Sequence, residues 1–373
     1  MSRPGRLDPF ALERFFARYE FSTRYVLCPS DPESMALHEL LAFEADAAQR
    51  FAQLRLGYVE SLGTPELRQA VAALYAHGDA ARVLVHAGSE EPIFTFMHAV
   101  LEAGDHIVVQ FPAYQSHYSI AQSIGASITR WDSNLDGDGA PGVAELERLL
   151  RPETRAIVVT TPNNPTGYSL SRGEFDALVE LARSRGLWLF CDEVYRGTER
   201  DAERLPAACD VYDRGVSLGG MAKAYGLAGL RIGWVSASQP SLLERMATIK
   251  DYLTICSSAP SEFLAALALR HDPDLTERVR GICARNLDLL DEFFARRANL
   301  FCWTRPRAGT TAFPRYRGNE GSEAFCRRAV EEAGVLLLPS TAFDAGDAHF
   351  RIGYGRANLP EALAALDAFI SRA

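Results

Sequence analysis

The stretch AIVVTTPNNPTGYSLSRGEFDALVELARSRGLWLFCDEVY, residues 156–195, carries the clearest information about the fold. It begins with a run of β-branched residues, and Ser171 and Glu174 then form the capping box of a predicted helix. Gly186 ends that helix, and the apolar run LWLFC predicts a buried strand directly after it. Two strands joined by a helix in this way are typical of a parallel βαβ unit.

The same alternation of strands and helices extends toward the N-terminus as far as Thr64. Thr64 is a predicted helix N-cap followed by Pro65, and the strand RVLVHAG (residues 82–88) leads into a helix that opens at Ser89. The strand HIVVQ (residues 106–110) and further helices continue the pattern. The sequence therefore predicts an α/β fold with a mostly parallel sheet flanked by helices. Ligands of such sheets bind beyond the carboxyl ends of the strands.

The pattern changes after Pro240, where long helices are predicted over residues 240–256 and 273–297. A smaller α+β unit follows from about residue 300. We predict three parts: residues 1–44 form an N-terminal arm that joins the small domain, residues 45–270 form a large ligand-binding domain, and residues 271–373 form the small C-terminal domain.

Composition limits the classes of function. The 373 residues are 47% hydrophobic and 23% charged, which is typical of a globular protein, and the net charge of −9 disfavours nucleic acid as a partner. The chain lacks an apolar run of about 18 residues, so no membrane span is predicted. The N-terminal residues lack the apolar core of a signal peptide, which predicts a cytoplasmic protein. Seven scattered cysteines without CxxC spacing, and eight histidines without HxxxH or HxH spacing, predict no disulfide framework and no metal site.

Lysine is rare in this chain. Of the 39 basic residues only Lys223 and Lys250 are lysine, and the others are arginine. Arginine replaces lysine at most solvated positions, but its guanidinium cannot supply a neutral amine. A lysine that is kept in such a chain is therefore a candidate nucleophile. Lys223 lies in a glycine-flanked motif, whereas Lys250 is predicted on the solvated face of a helix.

Three motifs follow one another at the ends of predicted strands. They are NNPTG (residues 163–167), CDEVY (residues 191–195) and SLGGMAKAYGLAGLRIGW (residues 217–234). Together they resemble the fold-type I pyridoxal-phosphate (PLP) enzymes, in particular the class I/II aminotransferases, and the resemblance extends from about Tyr58 to Arg351. It implies that residues 45–270 are a PLP-binding domain and that the protein is a homodimer.

The chemistry of this cofactor requires a primary amine and a buried carboxylate. The resemblance implies that Lys223 forms the internal aldimine and moves the α-proton, and that Asp192 keeps the pyridine nitrogen protonated. Asn164 and Tyr195 are implied donors to the phenolate oxygen O3′. Glu193 is a competing carboxylate, but side chains alternate at a strand end, so Asp192 and Glu193 should face opposite ways.

The implied phosphate site combines a helix N-terminus with an arginine. Tyr114 matches the aromatic residue that stacks on the pyridine ring. The residues implied to hold the phosphate are Gly88, Ser89, Glu90 and Arg231, with Tyr58 reaching the phosphate of the partner subunit. The family often has hydroxyl side chains at the positions that Gly220 and Ala222 occupy here. We therefore expect this phosphate site to lack side-chain donors and Gly220→Ser to restore part of the binding.

The substrate contacts follow from the same resemblance. Arg351 is implied to grip the α-carboxylate with two hydrogen bonds. Asn163 and the segment CPSDPES (residues 28–34) are expected over the substrate. Within that segment, Ser30, Asp31 and Glu33 are candidates to reach its side chain.

Three functions follow as hypotheses. The first is a PLP-dependent aminotransferase that acts on an L-amino acid and a 2-oxo acid. The second is an enzyme of the same fold that catalyses elimination with cyclisation, replacement or decarboxylation, with an arginine-derived molecule as one candidate substrate. The third is a non-catalytic PLP-binding regulator, which the absence of a basic DNA-binding segment before residue 40 disfavours.

Overall fold

The computed structural model describes residues 5–135 and 142–372. Fourteen α-helices lie in these residues, and most of them cover the faces of one large sheet. They are α1 (Ala11–Tyr19), α2 (Leu37–Leu41), α3 (Ala47–Ala52), α4 (Pro65–Ala72), α5 (Glu90–Val100), α6 (Ser116–Ile124), α7 (Val143–Leu149), α8 (Arg172–Arg185), α9 (Ala208–Val211), α10 (Pro240–Lys250), α11 (Ala259–Arg270), α12 (Asp272–Arg296), α13 (Gly321–Ala333) and α14 (Leu359–Ile370).

Fourteen strands accompany these helices in the described residues. They are β1 (Tyr25–Val26), β2 (Val83–His86), β3 (His106–Phe111), β4 (Ser127–Asp132), β5 (Thr154–Thr160), β6 (Trp188–Asp192), β7 (Gly215–Gly220), β8 (Gly233–Ala237), β9 (Phe301–Cys302), β10 (Thr311–Ala312), β11 (Arg315–Tyr316), β12 (Val335–Leu336), β13 (Leu338–Pro339) and β14 (Phe350–Gly353).

Seven strands form the central sheet in the order β2-β8-β7-β6-β5-β3-β4. Only β8 runs antiparallel to its neighbours, and the other pairings within the sheet are parallel. The mostly parallel α/β sheet that the sequence predicts is therefore confirmed. Because β8 is reversed, its first residues lie at the same edge as the carboxyl ends of the other strands.

Both faces of this sheet are covered by helices. Along β5, Ala156 and Val158 pack into a core that includes residues of α5, α6 and α10. Ile157 and Val159 point the other way and pack with residues of α7 and α8. A strand that is buried on both faces reads as one continuous apolar run, which is why this stretch was recognisable in the sequence.

The N-terminal segment packs on the C-terminal part of the chain. β1 pairs in parallel with β12, so that Tyr25 lies opposite Val335. Leu27 belongs to the hydrophobic core formed by α12, α13, α14 and β14. The sequence analysis assigned this arm to the small domain and placed the domain boundary at 270/271, next to the start of α12 at Asp272. The domain boundaries themselves remain a prediction.

The prediction that Lys250 lies on a solvated face is wrong. The helix predicted to continue to residue 256 ends at Lys250, and this side chain is fully buried. Its amine donates to the backbone oxygen of Ser61, and burial lowers its pKa, although the charges of Glu91 and Glu262 oppose that shift. The apolar neighbours and these two carboxylates come from distant parts of the chain, so the helix sequence alone did not indicate them.

The sequence predicts neither disulfides nor a membrane span. All seven cysteines are free, and five of them are buried. In the ranges 5–135 and 142–372, no helix has the length and the apolar character needed to cross a membrane.

Candidate active site

A cavity of about 280 Å³ opens at the carboxyl edge of the central sheet. Thr160 and Asp192, which end β5 and β6, line it together with Lys223, which follows β7. Ten of the thirteen predicted site residues contribute to its lining: Ser30, Ser89, Glu90, Tyr114, Asn164, Asp192, Tyr195, Lys223, Arg231 and Arg351. The location beyond the strand ends is the one expected for a ligand of a parallel sheet.

Lys223 points its amine into this cavity. The amine donates to the Ser30 hydroxyl over 2.8 Å. Burial lowers the pKa of Lys223, and Arg351 lowers it further, whereas the charges of Asp31 and Asp192 act in the opposite direction. A lowered pKa increases the fraction of neutral amine, which is the nucleophilic form.

Asp192 is buried at the end of β6 with a histidine beside it. The Asp192 carboxylate accepts from the backbone N–H of Val194, and its Oδ2 lies 3.3 Å from His117 Nε2. His117 is only 1% exposed, so this contact is protected from water. Sequence reasoning missed His117, which lies on the first turn of α6 with its ring centre 6.2 Å from that of Tyr114.

Glu193 faces away from the cavity, as the alternation of side chains predicts. One of its carboxylate oxygens accepts from the Ser217 hydroxyl and from the N–H of Ala208, over 2.7 and 2.9 Å. Burial raises the pKa of Glu193. Its contacts tie β6 to β7 and α9, so its role here is to hold the scaffold together.

The predicted phosphate residues form a close cluster at the first turn of α5. Gly88 has a φ of 83°, and a Cβ at this position would lie 2.6 Å from the Arg231 guanidinium. Arg231 lies two residues before the start of β8, and the reversed direction of that strand brings it to this edge. Ser89 follows Gly88, and its hydroxyl donates to the carbonyl of Gly219 over 3.3 Å. A glycine turn, an arginine and a helix N-terminus together suit a dianion.

The structure argues against the expectation that Gly220→Ser restores phosphate donors. A Cβ at Gly220 would lie 2.1 Å from the Ser89 hydroxyl oxygen. The space for a side chain at position 220 is therefore already taken by a hydroxyl of the same cluster. A serine at 220 would displace Ser89, and we expect it to weaken the site.

Arg351 and Tyr195 add two further buried polar side chains to the lining of the cavity. Arg351 is 1% exposed and donates to Asn164 Oδ1 over 3.1 Å and to the carbonyl of Cys28 over 2.9 Å. It forms no ion pair with a carboxylate of residues 5–135 or 142–372. The buried Tyr195 hydroxyl also lacks a hydrogen-bond partner within these ranges. Buried groups of this kind need polar partners, which a bound ligand can provide.

Three predicted residues do not line the cavity. Gly88 lies behind its wall in the phosphate cluster, as described above. The Asn163 side chain accepts from the Thr166 hydroxyl over 2.8 Å and stabilises the turn of the NNPTG motif, and its contact with the substrate remains a prediction. Tyr58 is 92% exposed and lies on the outer surface. Of the two acidic candidates, Asp31 lines the cavity, whereas Glu33 accepts from the N–H of Ala357.

Helix α1 adds residues that the sequence did not indicate. Leu12, Glu13 and Phe16 line the cavity, and so does Glu20, which caps the helix. Leu12 and Phe16 lie one helical turn apart, and this spacing was the available signal for a covering helix.

A possible metal-binding trio lies at His77, Cys209 and Asp210, whose ligand atoms are within 4.8 Å of one another. The Asp210 carboxylate already accepts from the N–H groups of Ala76 and His77, and His77 Nε2 contacts the Ser236 hydroxyl. These contacts are sufficient to explain the cluster as structural. The prediction of no metal site remains a prediction.

Comparison with known proteins places the chain in a family. Residues 26–366 match the family described as aminotransferase class I and II, so the chain belongs to that family. It is a PLP-dependent transferase, and the resemblance noted from the motifs is confirmed. The regulator hypothesis is accordingly not carried further.

Three similar proteins illustrate the range of activities in this family. Capreomycidine synthase from Streptomyces vinaceus is 32% identical, covering 97% of this chain and 94% of its own. A PLP-dependent aminotransferase from Streptococcus suis 89-1591 superposes with a TM-score of 0.93 at 30% identity and covers 98% of both chains. The PLP-dependent cyclase OrfR superposes with a TM-score of 0.92 at 30% identity, covering 100% of this chain and 99% of its own.

The residues present fit pyridoxal phosphate. The Gly88 turn and Arg231 suit its phosphate, Asp192 suits a protonated ring nitrogen, and the unpartnered Tyr195 hydroxyl suits an acceptor oxygen. Lys223 supplies the amine within the same cavity.

Proposed function

We propose that the protein is a PLP-dependent aminotransferase that transfers an amino group between an L-amino acid and a 2-oxo acid. The observation that supports this most strongly is the position of the Lys223 amine in one cavity with Asp192, Arg231 and Arg351. When bound, pyridoxal phosphate supplies an electron-accepting ring that stabilises negative charge at the α-carbon.

The residues around the cofactor have separate tasks in this proposal. Arg231, Ser89 and the N-terminus of α5 bind the phosphate, and Asp192 holds the proton of the ring nitrogen. His117 orients Asp192 through the 3.3 Å contact. The other cofactor contacts that we propose are Tyr195 and Asn164 at O3′, the ring of Tyr114 against the pyridine face, and the Glu90 N–H at the phosphate.

The substrate is bound at the other side of the cavity. Arg351 binds its α-carboxylate, and the amide of Asn164 keeps the guanidinium in place. Lys223 then moves the proton between the α-carbon and the cofactor, and its lowered pKa suits this task. Ser30, which accepts a hydrogen bond from the Lys223 amine, is positioned between lysine and substrate.

The proposed reaction is tested with the purified, PLP-loaded enzyme and a panel of L-amino acids. Transamination converts the bound cofactor stoichiometrically to its pyridoxamine form and releases a 2-oxo acid, and a second 2-oxo acid restores the starting absorbance. Turnover of the amino acid without accumulation of the pyridoxamine form would contradict transamination.

Cyclisation or elimination is the second candidate function. It is favoured by a specific observation: capreomycidine synthase and the cyclase OrfR align over nearly the whole chain at 32% and 30% identity. Such a reaction returns the cofactor to its original form in each cycle. Mass analysis of the product distinguishes cyclisation from transamination, because the cyclised product retains the α-amino nitrogen.

Removing each arginine separately tests the two anion sites. Arg231→Ala should weaken retention of PLP before any substrate is added, because the phosphate loses its guanidinium partner. Arg351→Ala should leave PLP retention nearly unchanged and weaken amino-acid binding by about 2–3 kcal/mol. Equilibrium dialysis of PLP and spectral titration with amino acid measure the two effects. Tight PLP binding without Arg231, together with cofactor loss on removing Arg351, would show that the sites are reversed.

A homodimer with shared active sites is part of this proposal. An exposed apolar surface lies outside the cavity and comprises Leu56, Tyr58, Tyr252 and Ile255, of which Tyr58 and Tyr252 are 92% and 88% exposed. The Ser61 hydroxyl donates to Asp251, and this bond links the two segments that carry the surface. Large exposed apolar patches mark interaction sites. We propose that a second copy of the chain covers this surface and that Tyr58 reaches the partner's phosphate site, in a cytoplasmic enzyme of amino-acid biosynthesis.

Tyr252→Asp tests the dimer because it places a charge in the centre of the proposed contact. We expect a shift to monomer in light scattering and, with it, weaker PLP retention. Tyr58→Phe should leave the dimer intact and weaken PLP retention alone, since only a hydroxyl is removed. A monomeric wild-type protein that retains PLP tightly would contradict the shared site.

A further inference from the structure

Helix α1 covers one end of the site cavity. Leu12 is buried in the core beneath the helix, and the Phe16 ring centre lies 5.8 Å from the Arg351 guanidinium carbon. At the N-terminal end, the Phe10 ring packs against Tyr114 with their centres 4.9 Å apart. The helix therefore lies beside the group that is proposed to bind the α-carboxylate.

Three carboxylates extend into the cavity from this side. Glu13 and Glu20 come from α1 and its C-cap, and Asp31 follows in the next segment. Arg356 donates to Asp31. Glu13 and Glu20 have no ion pair or side-chain hydrogen bond with any residue in the described ranges. Burial raises the pKa of the Glu20 carboxyl and the negative charges of Asp31 and Glu13 raise it further, whereas the positive charges of Arg356 and Lys223 act in the opposite direction.

The charges around the cavity do not balance. Five carboxylates line it, Glu13, Glu20, Asp31, Glu90 and Asp192, against the three cations Lys223, Arg231 and Arg351. In the proposed function each of these cations already has a partner. Lys223 binds the cofactor's aldehyde carbon, Arg231 binds its phosphate, and Arg351 binds the α-carboxylate of the substrate. Asp192 contacts His117, Glu90 accepts from Ser116, and Asp31 forms an ion pair with Arg356, which does not line the cavity, so Glu13 and Glu20 are the lining carboxylates without such a partner among the described residues. The excess negative charge therefore lies at the α1 end.

Arg351 gives an independent indication of how a ligand lies. It is 1% exposed, lines the cavity and has no carboxylate partner among the described residues. A buried guanidinium without a counter-ion requires an anionic ligand group. Phe16 and Glu20 lie one helical turn apart, where Glu20 donates its backbone N–H to the Phe16 carbonyl over 2.8 Å, and both line the cavity together with Arg351. A ligand anchored at Arg351 can therefore extend along Phe16 toward the acidic residues.

We infer that the α1 end of the cavity is a subsite for a cation on the substrate's side chain, guanidinium or ammonium, bound by Glu20 and Asp31 with Glu13 at its outer rim. This inference rests on the proposed function and adds the substrate class to it. Glu20 contributes most because it is half-buried and lacks a partner, whereas Glu13 is exposed and screened by water.

The test compares amino acids of matched shape that differ in charge. L-Arginine is compared with L-citrulline, and L-lysine with L-norleucine. Binding is measured by calorimetry on the PLP-loaded Lys223→Ala variant, which cannot turn over, and KM and kcat are measured on the wild-type enzyme. We expect at least about tenfold tighter binding of at least one cationic member over its neutral partner. The two pairs distinguish a guanidinium from an ammonium subsite.

Variants of the two acidic residues show whether these side chains cause the preference for a cationic substrate. Glu20→Gln and Asp31→Asn should bring the ratio between charged and neutral partner close to one, through KM rather than kcat. Glu292→Gln, an exposed carboxylate on α12, serves as the charge-matched control and should keep the ratio. Melting curves identify any loss of folding in Asp31→Asn. If that variant is unfolded, the binding ratio of Glu20→Gln alone tests the inference.

Equal binding of charged and neutral partners in both pairs would overturn the inference, and so would a preference that survives in Glu20→Gln. Failure of the proposed function looks different. In that case no amino acid is turned over by the wild-type enzyme, while calorimetry still reports whether the cation is preferred.

Discussion

Lys223→Ala is expected to abolish covalent attachment of pyridoxal phosphate and all measurable turnover. The reason is that no other amine lines the cavity within the described residues, and arginine cannot replace it. Borohydride reduction followed by mass analysis of the intact protein measures the attachment. Noncovalent retention of the cofactor should persist in part, because the Gly88 turn and Arg231 are unchanged.

The other lysine provides the control for this experiment. Lys250→Gln removes the buried amine that donates to Ser61, so a lower melting temperature is expected, with attachment at Lys223 intact. A reducible covalent adduct in Lys223→Ala, or its loss in Lys250→Gln, would show that the nucleophile is assigned to the wrong lysine.

Asp192→Ala is expected to lower kcat by about 10²- to 10³-fold, the usual effect of removing a preorganised charge from a closed site. Without this carboxylate the proton on the ring nitrogen loses its anionic partner, and His117 loses the group 3.3 Å from its Nε2. Steady-state kinetics at saturating PLP, together with circular dichroism of the fold, measure the effect.

Glu193→Gln is the matched control for Asp192→Ala. The glutamine oxygen can still accept from Ser217 and from the N–H of Ala208, so turnover should stay close to that of the wild-type enzyme. We choose glutamine because alanine would leave two buried donors unpaired and destabilise the protein. Equal losses of kcat in the two variants would mean that Glu193, and not Asp192, faces the ring.

The sequence predicted the sheet and much of the cavity because both depend on local patterns. Residues 156–159 are a continuous apolar run that predicts a buried strand, Asp192 ends a second strand and Lys223 follows a third, and the ends of these strands meet at one edge. Arg351 is different in kind, because it is brought in from the small C-terminal strand β14. Its position came from the family resemblance and not from any periodicity.

The predictions that differed from the structure concern contacts between distant segments. Nothing near Lys250 indicates that Ser61, 189 residues earlier, accepts from its amine. A side chain at position 220 in β7 would collide with Ser89, which lies in the turn before α5 and is distant in the sequence. The carboxylates of α1 reach the cavity only because β1 pairs with β12 and holds the N-terminal segment against the C-terminal part. Such neighbours are set by tertiary packing, which a single sequence does not display.

The scarcity of lysine, combined with the burial of Lys250, makes the native protein a simple object for chemical labelling. An amine-selective reagent that cannot enter the core reaches Lys223 through the cavity but does not reach Lys250, which is fully enclosed. Once the cofactor occupies Lys223, that amine is blocked as well. The extent of labelling at Lys223, measured by mass analysis of the peptide that carries it, thus counts empty active sites directly, without a substrate and without an assay.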